Sequence, residues 1–148
     1  MEEVIVLLNF NEYLGGGETL MVRFSEYLKK NKINFLVFCP TNSYIHSDLQ
    51  KKNIDKSFIK TTSLNPNYYY LSESKRKDFL DDIKAKIGNQ SKVRFVTFAL
   101  RELYTTFDIS KEFEKCSITH LILHPQDHLF LGETIIDKFF YKMFLLRN

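Results

Sequence analysis

The sequence predicts an α/β fold in which a mostly parallel sheet carries helices on both faces. Three observations lead there. Short continuous apolar runs of the kind a buried parallel strand requires recur at residues 4–8, 33–38, 93–99 and 118–123. Segments whose apolar residues repeat at helical spacing lie between them. Breakers fall at the junctions, with Gly15-Gly16-Gly17 after the first run, Pro40 after the second, Gly88-Asn89 before the third and Pro125 after the last.

The first run, Val4-Ile5-Val6-Leu7-Leu8, passes through Asn9 and Phe10 into Gly15-Gly16-Gly17-Glu18, and Leu20, Met21, Phe24, Tyr27 and Leu28 then mark one helix face. This order of strand, glycine loop and helix places three of the chain's five glycines at a helix N-terminus. Free N–H groups and the positive end of the dipole suit that place to a phosphate or another anion. The same glycines equally serve a tight turn without a ligand. The dinucleotide pattern Gly-x-Gly-x-x-Gly is not met, because Leu20 stands where its last glycine belongs, and no Gly-Lys-Ser/Thr ending follows.

Lys29-Lys30-Asn31-Lys32 closes the first helix, where cations favour the dipole. A second strand over residues 33–38 ends at Pro40, and Thr41-Asn42-Ser43 caps a short helix through Lys52. Ser57-Phe58-Ile59 reads as a weak third strand, and residues 61–70, with Asn65-Pro66-Asn67, have the composition of a loop. Ser72 or Ser74 caps a long helix that repeats Phe79, Leu80, Ile83 and Ile87 and stops at Gly88-Asn89. A strand at residues 93–99, a helix at 102–114 and a strand at 118–123 complete the alternation. Residues 131–146 place Ile135, Ile136, Phe139, Phe140 and Met143 on one helical face, widened by Phe144 and Leu145. Such a helix needs cover on more than one side, from its own core, from a partner or from another domain.

A length of 148 residues fits one domain, 1–148, able to bury a core of its own. The balance of 21 basic against 18 acidic residues gives a net charge of +3, too small to argue for nucleic acid. Lys75-Arg76-Lys77 is followed by Asp78, Asp81 and Asp82, which reads as a solvated face. Cys39 and Cys116 have no CxxC relation and read as reduced, buried thiols, hence a cytoplasmic setting. Met1-Glu2-Glu3 offers no basic leader, and no run approaches the roughly 18 apolar residues of a membrane span.

Ligands of parallel sheets bind beyond the carboxyl ends of the strands, which selects residues 9–18, Leu100-Arg101-Glu102 and His124-Pro125-Gln126-Asp127-His128. His120, His124 and His128 recur at intervals of four, but Leu121-Ile122-Leu123 and Pro125 indicate strand and turn. Strand residues four apart are separated by roughly 13 Å, too far for one ion, so no metal site is expected.

Residues 4–8, the Gly15-Gly16-Gly17-Glu18 loop, the basic-ended helix and the strand at 33–38 resemble the opening of retaining glycosyltransferases of the GT-B fold, family 4-like. The later strand ending near His124 and Asp127 is similar to the fifth strand of that family. The resemblance implies a Rossmann-like, three-layer α/β/α domain that binds the acceptor, with a second C-terminal domain, absent from these residues, binding the nucleotide-sugar donor. No Glu-x7-Glu pair in a donor-binding context occurs near residue 148. It further implies that Gly15, Gly16, Gly17 and Glu18 lie against the donor phosphates. Candidates for the acceptor are Asn11, Arg101, Glu102, His124 and Asp127. Leu100-Arg101-Glu102 stands where the family carries a histidine near the reacting sugar, so no catalytic residue is assigned.

The implied role is a part of polysaccharide biosynthesis that is inactive alone, with no cofactor beyond the donor substrate and no nucleic acid. Its partners would be a glycan or lipid-linked acceptor and a donor domain in cis or in trans. A lipid-linked acceptor would bring peripheral contact with the inner face of the membrane, although the sequence has no clear basic amphipathic helix. The alternative is a non-catalytic, flavodoxin-like binding or regulatory module that docks a partner through its terminal apolar helix. A complete small nucleotide-binding enzyme would need a diagnostic loop that is missing.

Overall fold

The computed structural model describes residues 3–10, 15–62, 71–89, 92–98 and 100–120. Along them the chain forms β1 (Glu3–Leu8), α1 (Gly16–Lys30), β2 (Phe35–Pro40), α2 (Tyr44–Lys51), a 3-10 turn (Lys56–Phe58), β3 (Ile59–Thr62), α3 (Glu73–Ile87), β4 (Lys92–Thr97), α4 (Leu100–Ser110) and β5 (Cys116–His120). The strands pair in the order β3-β2-β1-β4-β5, every pair parallel. The chain builds outward from β1 to β3, then returns past β1 to lay down β4 and β5. This is the Rossmann-like arrangement.

A flavodoxin-like order would seat β1 between β2 and β3. Here β3 instead pairs with the far edge of β2, from Val37↔Ile59 to Pro40↔Thr62, which leaves the second edge of β1 to β4. The flavodoxin-like form of the alternative is corrected on that ground.

Reversal of direction at β1 also sorts the helices. Right-handed crossovers put helices of an outward-growing half on one face and helices of the returning half on the other. Accordingly Leu7, Phe35, Val37 and Val96 pack with Met21, Val22, Leu28, Ile45 and Leu49 of α1 and α2. On the opposite face Val4, Val6, Leu8, Phe38, Val93 and Phe95 pack with Phe79, Ile83, Leu103 and Phe107 of α3 and α4. Alternate residues of one strand thus serve two cores, which is why the central runs are continuously apolar.

Local chemistry explains where the elements begin and end. Ser43 accepts a hydrogen bond from the His46 N–H at 3.2 Å and starts α2. Ser72 is the N-cap of α3, but its hydroxyl meets that of Ser74 at 3.2 Å and not the helix amides. Gly88, at φ 72°, ends α3 in the left-handed region.

Two expectations shift. Ser57 and Phe58 belong to the 3-10 turn, because Asp55 accepts from the Ser57 N–H at 2.8 Å, and the strand begins only at Ile59. Phe58 stacks on Phe35 with ring centroids 4.8 Å apart, so it seals the α1–α2 core. α4 starts two residues before the expected Glu102 and stops at Ser110, where Lys111, Glu112 and Phe113 turn their N–H groups to carbonyls three residues back. The expected loop at 61–70 gives its first two residues to β3, which runs to Thr62; its remainder at 63–70 and the terminal apolar helix at 131–146 lie outside the described residues. No helix among the described residues is long and apolar enough to cross a membrane.

Candidate functional site

Two neighbouring strands of this sheet, β1 and β4, send their chains to opposite faces. A crevice therefore opens beyond their carboxyl ends, where α/β sheets of this kind bind ligands. Its floor follows from the parity of a parallel strand. Ile5 and Asn9 donate their N–H groups to Asn34 and Phe38 on the β2 side, at 3.0 and 2.9 Å. The N–H of Phe10 must then face β4, which has already ended at Thr97. Glu102, in the first turn of α4, fills the gap: its Oε1 accepts from Phe10 N at 3.1 Å, and the residue is 1% exposed.

Glu18 does the corresponding work on the other face. It lies in the first turn of α1, 6% exposed, and its Oε1 accepts from Asn9 Nδ2 at 3.1 Å. Its second oxygen folds back on Gly15, the N-cap residue, where an added Cβ would lie 2.5 Å from Oε2. A Cβ on Gly16 would meet nothing within 4 Å, so the backbone there is open to an approaching group.

Both carboxylates sit at helix N-terminal turns, where the dipole favours negative charge. The partners on Asn9 and Phe10 are uncharged donors. At the adjoining ends of β4 and β5, Thr97 Oγ1 and His120 Nδ1 share a 2.9 Å hydrogen bond between buried, register-paired residues. Cys39, at the end of β2, is pushed up to about 11 by burial, against a smaller lowering by a hydrogen bond with Ser43. It remains a thiol and not a nucleophile at neutral pH.

Of the residues singled out from the sequence, Gly15, Gly16, Gly17 and Glu18 lie at the start of α1 on the rim of this crevice. Glu102 is buried against the end of β1. Arg101 precedes it in α4, with its side chain outside the described residues, as are Asn11, His124 and Asp127. Asn9, from the selected segment 9–18, links Glu18 to the strand, and Thr97, which the sequence does not mark, closes the β4–β5 end with His120. Asn9 ends the first apolar run, a signal visible in the sequence, whereas Thr97 and His120 lie inside the runs at 93–99 and 118–123. Among the described residues no group of three or more His, Cys, Asp or Glu side chains is placed to hold a metal ion.

An open depression of about 470 Å³ lies at the opposite end of the sheet, lined by Gln50, Asn53, Ile54, Asp55 and Lys56. It gathers no buried polar cluster, so the chemistry is better placed at the carboxyl edge. Comparison with known protein families, with curated proteins and with solved structures finds no match to this chain.

Proposed function

We propose that this chain is the acceptor-side domain of a retaining GT-B glycosyltransferase, which moves a sugar from a nucleotide-sugar donor to a glycan or lipid-linked acceptor. The observation that carries the reading is the end of β1 in the β1–β4 crevice, where buried carboxylates hold two successive residues, Glu18 the Asn9 amide and Glu102 the Phe10 N–H. A polar strand end held rigid by buried carboxylates suits an uncharged, hydroxyl-rich ligand, bound by the peptide groups that they orient. The same carboxylates repel a free phosphate.

On this reading the nucleotide belongs to a second Rossmann-like domain, in cis or in trans. That domain supplies the cations for the leaving diphosphate, and the open backbone at Gly16 meets the donor from the acceptor side. Glu18 and Glu102 hold the floor rigid and are positioning residues.

The test is enzymatic. The product of the full reading frame, or this chain mixed with a separately encoded donor domain, should hydrolyse a nucleotide-sugar slowly and faster when acceptor glycans are added. Turnover of nucleotide by residues 1–148 alone, or no turnover in any pairing, would reject the reading.

A further inference from the structure

Of the connections that lead from a strand into a helix, the one from β4 to α4 is the shortest. Only residues 98 and 99 separate Thr97, the last of β4, from Leu100, the first of α4. Three Cα steps reach at most about 11 Å, so the first turn of α4 must follow wherever the end of β4 is fixed.

That end is held on both faces of the sheet. Alternation puts Thr97 on the face of Val93 and Phe95, under α3 and α4. There its Oγ1 and the Nδ1 of His120 share the buried 2.9 Å hydrogen bond that joins β4 to β5. On the other face Phe98 is buried among the residues packed with α1 and meets Phe24 edge-on, with ring centroids 6.2 Å apart. In the first turn of α4, Glu102 then accepts from the Phe10 N–H at 3.1 Å. A series of anchors thus runs from β5 through β4 and α4 to the end of β1.

A buried hydrogen-bonded pair adds little net stability over an apolar pair of the same shape, because both partners leave water to form it. What it contributes is direction. Leu103 and Phe107 press α4 onto the sheet by apolar packing, which has no preferred orientation, whereas a hydrogen bond holds two atoms to a narrow range of distance and angle. The Glu102–Phe10 contact depends on such placement, because β4 has ended where the Phe10 N–H faces it.

We propose that Thr97 and His120 are positioning residues of the ligand edge. Their hydrogen bond sets the end of β4, and through the two-residue connection it holds Glu102 on Phe10. This role rests on the reading of the β1–β4 crevice as the binding edge for a hydroxyl-rich ligand. It adds β5 to the parts that shape the crevice and requires neither residue to touch the ligand.

The test reads the Phe10 amide. Thr97→Val removes the hydroxyl at nearly constant shape, Thr97→Ser keeps it, and Thr97→Val with His120→Leu makes the pair apolar on both sides. Amide hydrogen exchange at Phe10 is measured without ligand and expressed relative to Val37 in the buried strand β2, which a general loss of stability speeds at least as much. Relative exchange at Phe10 should rise about tenfold or more in both variants that carry Val and stay within about threefold in Thr97→Ser. Binding of a neutral oligosaccharide, followed by amide shifts, should weaken about tenfold in the same two variants and be kept in Thr97→Ser. Unchanged relative exchange at Phe10 in Thr97→Val, equal loss in Thr97→Ser, or lost protection with saccharide affinity intact would overturn the role while leaving the glycosyltransferase reading in place. No saccharide shift in the unaltered chain would overturn the reading and the role together.

Discussion

Glutamates stand at both ends of the β1–β4 pair and act in opposite ways. At the amino end Glu3 accepts from Lys92 Nζ at 3.1 Å and Arg94 Nε at 3.3 Å, all three side chains partly in water. At the carboxyl end Glu102 accepts from a backbone N–H, and Glu18 from a side-chain amide, both almost wholly out of water. The first arrangement is an ordinary surface cluster, worth little because water screens it and can replace it. The second holds two carboxylates almost wholly out of water, where losing a hydrogen bond costs more than it does at the surface. The difference marks the carboxyl edge as the end where polar groups are rigidly arranged, which a binding floor requires.

The largest effect that separates the two ends is expected from Glu102→Ala, which strands the Phe10 N–H and should cost about 2–3 kcal/mol in urea unfolding. Glu102→Gln keeps an acceptor and should cost less than half as much. Equal losses for Glu102→Ala and Glu3→Ala would erase the contrast. Asn9→Ala should follow at about 1–2 kcal/mol, measured the same way, because it removes a buried hydrogen bond to Glu18.

Gly15→Ala brings a methyl group against the tip of Glu18 and should cost about 1 kcal/mol or less, since that tip can move. In a Glu18→Ala background the penalty should vanish, and a double-mutant cycle without coupling would show that the carboxylate does not fold over Gly15. The smallest effect belongs to Glu3→Ala, below about 1 kcal/mol and absent at high salt. Partial burial acts to raise the Glu3 carboxyl, but the Lys92 hydrogen bond and the Arg94 charge outweigh it, and the group titrates below the usual glutamate range. Its contribution is therefore complete above the unfolded-chain value of about 4.3 and is lost as pH falls through the depressed folded value. A stability-versus-pH curve that Glu3→Ala leaves unchanged in that window would contradict the pairing.

Much of the fold was legible because the central strands serve two cores and so read as unbroken apolar runs, Val4 to Leu8 being the plainest. The third strand was less so. Its start is set by the Asp55 cap and by Phe58 stacking on a residue of β2, contacts that no local pattern announces. At the site, the glycines and Glu18 stood out by composition. Asn9 stood out less, because its part depends on the turn into α1 bringing Glu18, nine residues on, against its side chain.

The central claim, that the carboxyl edge binds an uncharged hydroxyl-rich ligand, is tested most directly by amide shift mapping of residues 1–148 in ¹⁵N–¹H spectra. Neutral oligosaccharides and free uridine diphosphate would be titrated separately. Saturable shifts at Asn9, Phe10, Gly16, Glu18 and Glu102 with a saccharide, and scarcely any with the nucleotide, are expected. Tight nucleotide binding at those amides, or saccharide shifts confined to the amino edge around Glu3 and Lys92, would contradict it.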